Sequence, residues 1–197
     1  MTERPALILA STSRYRRELL ERLRLPFSIA APEVDERPLP DEAPRAMASR
    51  LALAKARAVA ARHPGAVVIG SDQAAELDAA PIGKPGTHAR AVAQLRAMSG
   101  RTVLFHTAVA VLRPSIGYIA EAVVAATVRM RRLDEAEIEH YLRTEEPYDC
   151  AGSAKAETLG IALLEAIDSD DPTALIGLPL IRLCAMLRAA GLDPLRP

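Results

Sequence analysis

The chain has no tryptophan, and aromatic residues make up only 3% of its 197 positions, so its core has to be built from aliphatic side chains. Two cysteines, Cys150 and Cys184, lie far apart and outside any CxxC spacing. That excludes a zinc knuckle and a disulfide framework. Net charge is absent too: 25 Lys and Arg balance 25 Asp and Glu. With no overall field for nucleic acid or a membrane surface, any anion site must be local. No apolar run is long enough to span a bilayer, and "MTERPALILAS" lacks the apolar core of a signal peptide, so the expected location is the cytoplasm. Lysine is scarce. A chain that uses arginine almost everywhere keeps only Lys55, Lys84 and Lys155.

Half the residues are hydrophobic, with Ala and Leu dominant, and the length suits one domain spanning 1–197. "ALILA" (Ala6–Ala10) reads as a buried strand, followed by "STS" and a helix carrying Leu19, Leu20 and Leu23. "FSIA" is a second strand entering a Pro- and acid-rich loop. Pro44 to about Arg62 is a strong helix with Pro in its first turn. "AVVIG" is the next strand, expected to end at Gly70, and a helix follows between a Thr87 N-cap and a Gly100 C-cap. Val103–Leu112 and Tyr118–Met130 form a hairpin across "RPSIG". Asp134 and Glu137 open a helix as a capping box, "IALLEAI" is a strand or short apolar run, and an amphipathic helix ends near Gly191. The expected fold is α/β, an elongated mixed twisted sheet flanked by helices.

Chemistry collects around "AVVIGSDQAAEL". Gly-Ser-Asp is ordinary turn chemistry, yet ligands in α/β proteins gather at the carboxyl ends of strands, which makes Asp72 a candidate. The strand–"STS"–helix junction offers hydroxyls and free backbone N–H groups at a helix N-terminus, with Arg14, Arg16 and Arg17 beside it. The bland alternative is an amphipathic helix with solvated arginines. Lys84 in "IGKPG" and Lys55 in "LALAKARA" are candidate point charges, the alternative being solvated lysines. In "APEVDERP", Glu33 and Asp35 would share a face of an extended segment and, with Asp72, hold a divalent cation. A solvated acidic loop is the other reading, evenly weighted for Glu36.

Taken together, "LILASTSRYRRELL", "APEVDE", "LALAKARAVA", "VVIGSDQ", "GKP", "CAGS" and "LIGLPL" resemble the Maf family of nucleoside-triphosphate pyrophosphatases from Leu7 to about Leu192. The family's loop usually reads Ser-x-Ser-Pro-Arg-Arg. Here Arg14 replaces the Pro and Tyr15 the first Arg. Three positions separate the subfamilies, and Tyr15, Gln73 and Glu157 resemble the branch acting on 7-methylguanosine triphosphate, where the first is an aromatic residue, usually Trp.

The resemblance implies hydrolysis between the α- and β-phosphates, a house-cleaning reaction on the nucleotide pool. Asp72 is implied as the group that takes the water's proton or holds the activating metal. Ser11, Arg16, Lys55 and Lys84 would bind the phosphates, and Tyr15, Gln73 and Glu157 would set the base. Asp35 would be a further metal or water ligand with Asp72, the ion being Mg²⁺ or Mn²⁺. A homodimer with no stable nucleic-acid partner is expected. Two other readings stay open: a pyrophosphatase with another base preference, and a nucleotide- or RNA-binding regulator of septum formation.

Overall fold

Leu7, Ile8, Leu9 and Ala10 are all buried, as expected of a strand covered on both faces. In the computed structural model, which describes residues 4–196, this strand is β1 (Leu7–Ala10). It is followed by α1 (Arg14–Glu21), β2 (Ser28–Ile29), α2 (Pro44–Ala60), β3 (Val67–Leu77), β4 (Ala80–Ile82), α3 (His88–Met98), β5 (Thr102–Arg113), β6 (Tyr118–Met130), α4 (Glu135–Glu145), β7 (Leu164–Asp168) and α5 (Leu180–Ala189). The strands form one seven-stranded sheet in the order β2-β1-β3-β5-β6-β7, with β4 paired to β3. β1 runs parallel to β2 and β3, and the other pairings are antiparallel. The α/β mixed sheet agrees with the sequence reading.

One face of the sheet carries α2. Ala48, Ala52, Ala56 and Val59 pack there on Ile8, Val68, Ala108 and Ala110. Gly70 explains the alanine-rich helix. A Cβ at Gly70 would lie 2.6 Å from the Ala56 backbone nitrogen and closer still to the Ala52 carbonyl oxygen, so helix and strand touch backbone to backbone. The opposite face holds two clusters. Near β1, Leu19, Leu20, Leu183 and Leu187 of α1 and α5 cover Leu9, Ile69 and Val109. Further along, Leu95, Ile138 and Leu142 of α3 and α4 cover Phe105 and Val128.

The capping box of α4 forms as expected, Asp134 and Glu137 each accepting the other's backbone N–H. Thr87 caps α3 through Arg90 N–H, and Gly100 at φ 69° follows the C-cap Ser99. Leu23 falls outside α1 but still packs against the core. "IALLEAI" divides into a 3₁₀ segment, Leu159–Leu163, and the strand β7.

The strand expected to stop at Gly70 instead continues to Leu77. Gly-Ser-Asp does not turn here because β5 pairs with β3 without interruption from Val68 to Glu76. Ser71 is accommodated within the ladder, its hydroxyl meeting the carbonyls of Ala108 at 2.7 Å and Gly177 at 3.0 Å. Tertiary pairing overrides the local turn preference. The other edge of β3 is divided. β1 pairs with it only through Gly70 and β4 only from Ala75, so between those pairings Ser71–Ala74 face an opening in the sheet.

Candidate active site

Asp72 lies in that opening, just past the carboxyl end of β1 rather than at the end of its own strand. Even-numbered residues of β3 face α2, and this parity carries Asp72 to Lys55. The Lys55 Nζ lies 2.7 Å from Asp72 Oδ1 and 3.0 Å from Glu36 Oε1. Lys55 is 4% exposed and Asp72 7%, so the pair is shielded from water and salt, while Glu36 is open. The close approach at Gly70 sets this geometry, since it fixes how far α2 stands from β3.

The opposite wall is the β1–α1 junction. Ser13 caps α1, and its backbone N–H donates to Ser11 Oγ at 3.1 Å. Arg16 donates through Nε to the Gly177 carbonyl at 3.0 Å, and its Nη1 reaches Ser11 Oγ at 3.5 Å. Desolvation lowers the Arg16 pKa, and the negative charges of Asp72 and Glu36 oppose that shift. An arginine so placed stays cationic. Lys84 is exposed, in the turn after β4, and lines the same cleft.

The cleft has a volume of about 800 Å³, and Ser11, Tyr15, Arg16, Lys55, Asp72, Gln73, Lys84 and Glu157 all line it. Asp35 does not. Its carboxylate is engaged by Arg37, through Nε at 2.9 Å and Nη2 at 2.6 Å, and that contact lowers its pKa. Glu36 stands where the sequence reading placed Asp35. Glu33 and Asp35 are both exposed, as that alternation grouped them, and it is the next residue, Glu36, that reaches Lys55. Sequence spacing carried no signal separating Glu36 from its neighbours.

At the far end of the cleft, Gln73 Nε2 donates toward Thr107 Oγ1 (2.9 Å) and the carbonyls of Ala174 (3.0 Å) and Leu175 (2.9 Å). Thr107 spends its own proton on the Ala174 carbonyl at 2.8 Å, so it accepts from Gln73, which fixes which end of the amide is nitrogen. The Gln73 carbonyl oxygen is left as the end available to a ligand. Carbonyls of the 174–177 loop thus hold Gln73, Ser71 and Arg16, a shared support that no sequence pattern announced. Asp171, 1% exposed, secures that loop by accepting from the backbone N–H groups of Thr173, Ile181 and Arg182.

Tyr15 accepts a hydrogen bond from Arg14 Nη2 at 2.9 Å, and the Arg14 guanidinium carbon sits 4.7 Å from the ring centroid. Burial pushes the phenol's pKa up to about 12. Glu157 opens onto the cleft, and desolvation by the surrounding walls raises its pKa, Lys155 opposing the rise. Among the described residues no group of three or more His, Cys, Asp or Glu forms a metal cluster, and no helix is long and apolar enough to cross a membrane.

The model of a family described as "Maf-like protein" matches residues 6–190. A protein of Polaromonas sp. (strain JS666), named 7-methyl-GTP pyrophosphatase, is 66% identical over 96% of this chain and 86% of its own. Proteins of the same name from Albidiferax ferrireducens and Bordetella pertussis are 61% and 62% identical, covering 96% and 97% of this chain and 95% of each relative.

Proposed function

The chain belongs to the Maf family, and on that premise we propose that it is a nucleoside-triphosphate pyrophosphatase hydrolysing 7-methylguanosine triphosphate to the monophosphate and pyrophosphate. The observation that carries this reading is the buried Lys55–Asp72 pair, 2.7 Å apart, in a cleft that also presents Tyr15, Gln73 and Glu157. A protein that merely binds nucleotide, such as a regulator of septum formation, has no use for a buried carboxylate facing the phosphates.

Asp72 takes the proton of the attacking water as the water oxygen bonds to phosphorus and the α–β bridge breaks. Lys55, Arg16 and Lys84 gather around the triphosphate and offset the charge that builds on its oxygens. Ser11 and the N–H groups opening α1 orient the chain of phosphates. Lys55 also holds the Asp72 carboxylate in place, so the base is aimed before substrate arrives.

The donor set fits a divalent cation such as Mg²⁺ or Mn²⁺. Asp72 and Glu36 are hard oxygen donors meeting at one ammonium, and Mg²⁺ commonly takes one or two carboxylates together with substrate phosphates. Such an ion, when bound, lowers the pKa of its water and neutralises phosphate charge. Asp35, turned toward Arg37, is the weaker candidate.

For the base, N7-methylation leaves a delocalised positive charge and keeps the N1–H and N2–H₂ donors. The Glu157 carboxylate accepts both, the Tyr15 face attracts the cation, and Gln73 offers a carbonyl oxygen. The chain works as one domain in the cytoplasm, as a homodimer without a stable nucleic-acid partner. The outer edge of β6, which β7 pairs only from Thr127 onward, supports the dimer. Pyrophosphate release across a nucleotide panel tests the substrate. 7-Methylguanosine triphosphate should be hydrolysed fastest, and faster turnover of a pyrimidine triphosphate refutes the assignment.

A further inference from the structure

Lys155 is buried, 7% exposed, and is not among the residues that line the cleft. Its Nζ donates to the Glu145 carbonyl at 2.7 Å and lies 4.0 Å from that residue's carboxylate. The ammonium therefore caps the C-terminal end of α4, where the helix dipole favours a cation. The Lys155 backbone N–H donates to the Tyr141 hydroxyl at 3.0 Å, and the Leu159 N–H donates to Glu145 Oε1 at 3.0 Å. Thr158 closes the turn onto the Lys155 carbonyl through its N–H at 3.2 Å and its hydroxyl at 3.3 Å. Gly160 folds so tightly over it that a Cβ there would sit 2.7 Å from Lys155 N. Glu157 lies within this turn, which is tied at both ends to one helix terminus.

We propose that Lys155 is a positioning residue for the base-reading carboxylate of Glu157, fixing its turn against α4. This rests on the reading of Glu157 as the base contact. The charges facing Glu157 from neighbouring elements are Glu145 of α4 and Glu18 of α1, both raising its pKa along with burial, while Lys155 opposes them. Tyr141 of α4 is also close enough to couple with it. With Lys155 neutralised, Glu157 titrates at higher pH, so the carboxylate is lost sooner as pH falls.

The test compares wild type with Lys155→Met and with Lys155→Gln, which keeps a donor for the Glu145 carbonyl without the charge and serves if the Met variant fails to fold. Carbon-13 NMR titration of Glu157 in the nucleotide-free protein should show an upward shift in both variants. The acid limb of kcat/KM for 7-methylguanosine triphosphate should move to higher pH, while that for a pyrimidine triphosphate stays in place. Lys155→Met should lower the preference between the two substrates several-fold, and should add no further loss of preference in a Glu157→Gln background. An unmoved Glu157 titration, or equal losses on both substrates, overturns the proposal. If wild type shows no preference for the methylated nucleotide, the substrate reading falls, and the titration still decides the role of Lys155.

Discussion

Asp72→Asn preserves side-chain volume while removing one charge from a buried pair. A lost general base costs about a hundred- to ten-thousand-fold in rate, or about 2.7–5.5 kcal/mol of transition-state stabilisation. The stability cost is smaller. Breaking a buried ion pair by deleting one partner typically costs about 3–5 kcal/mol, but Lys55 retains Glu36 at 3.0 Å and the new amide oxygen still accepts from its ammonium. A loss of roughly 1–3 kcal/mol is expected, equivalent to a melting shift of about 2–12 °C for a chain of this size. Lys55→Met should be the less stable variant, because it leaves the Asp72 and Glu36 carboxylates with no ammonium between them. Pyrophosphate release at 25 °C, read beside thermal melts, separates the two effects. A folded Asp72→Asn protein turning over at near wild-type rate refutes the assignment, and a Lys55→Met protein as stable as wild type refutes the charge reasoning.

Glu157→Gln should reduce kcat/KM on 7-methylguanosine triphosphate far more than on a pyrimidine triphosphate, since only the former offers paired donors to a carboxylate; proportional losses would deny it a role in reading the base. Arg14→Ala frees the Tyr15 face from a cation 4.7 Å away. The preference for the methylated nucleotide over GTP should then rise about two- to five-fold, the equivalent of an exposed cation–π contact of about 0.5–1 kcal/mol. Both substrates carry the same triphosphate, so any loss of phosphate attraction cancels; an unchanged or lower ratio counts against stacking on that ring. Gly70→Ala should destabilise by about 1–3 kcal/mol through overpacking and slow turnover by pushing α2, with Lys55, away from Asp72. A wild-type melting curve would mean the helix–strand contact is looser than the backbone positions imply.

Elements whose signal is local were legible in the sequence. The Asp134–Glu137 box, the Thr87 cap and the alanine-rich helix depend on neighbours a few residues apart, and each forms as expected. The length of β3 was not legible. Its continuation past Gly70 is decided by Val109, Ala108 and Thr107 on β5, more than thirty residues away, whose ladder satisfies the backbone groups a turn would have left to water. The short strand β4 depends in turn on that continuation, since it pairs only with Ala75–Leu77.

The site divides along the same line. The residue types that line it were visible because each lies in a short motif, and eight of the nine residues to which the family resemblance gave a role line one cleft: Ser11, Tyr15, Arg16, Lys55, Asp72, Gln73, Lys84 and Glu157. Asp35 is the acid that the family resemblance implies in this loop, yet its carboxylate is taken by Arg37 while the neighbouring Glu36 turns to Lys55, a choice that no spacing encodes. The supporting contacts were invisible for a different reason. Gln73, Ser71 and Arg16 are held by main-chain carbonyls of the 174–177 loop, and a carbonyl has no residue type to read. That loop is held by Asp171, whose carboxylate meets the N-terminus of α5. The opening in the sheet where Asp72 lies is itself a non-local product: the pairing of β1 with β3 stops at Gly70, that of β4 begins at Ala75, and the carboxylate lies in the interval neither strand covers. Placing Asp72 past the end of β1, instead of the end of its own strand, leaves its backbone locked into β5 while its side chain meets the cleft. For the role proposed for Asp72 this matters: a carboxylate fixed in a continuous strand loses little orientation when substrate binds, which is what an aimed proton acceptor requires.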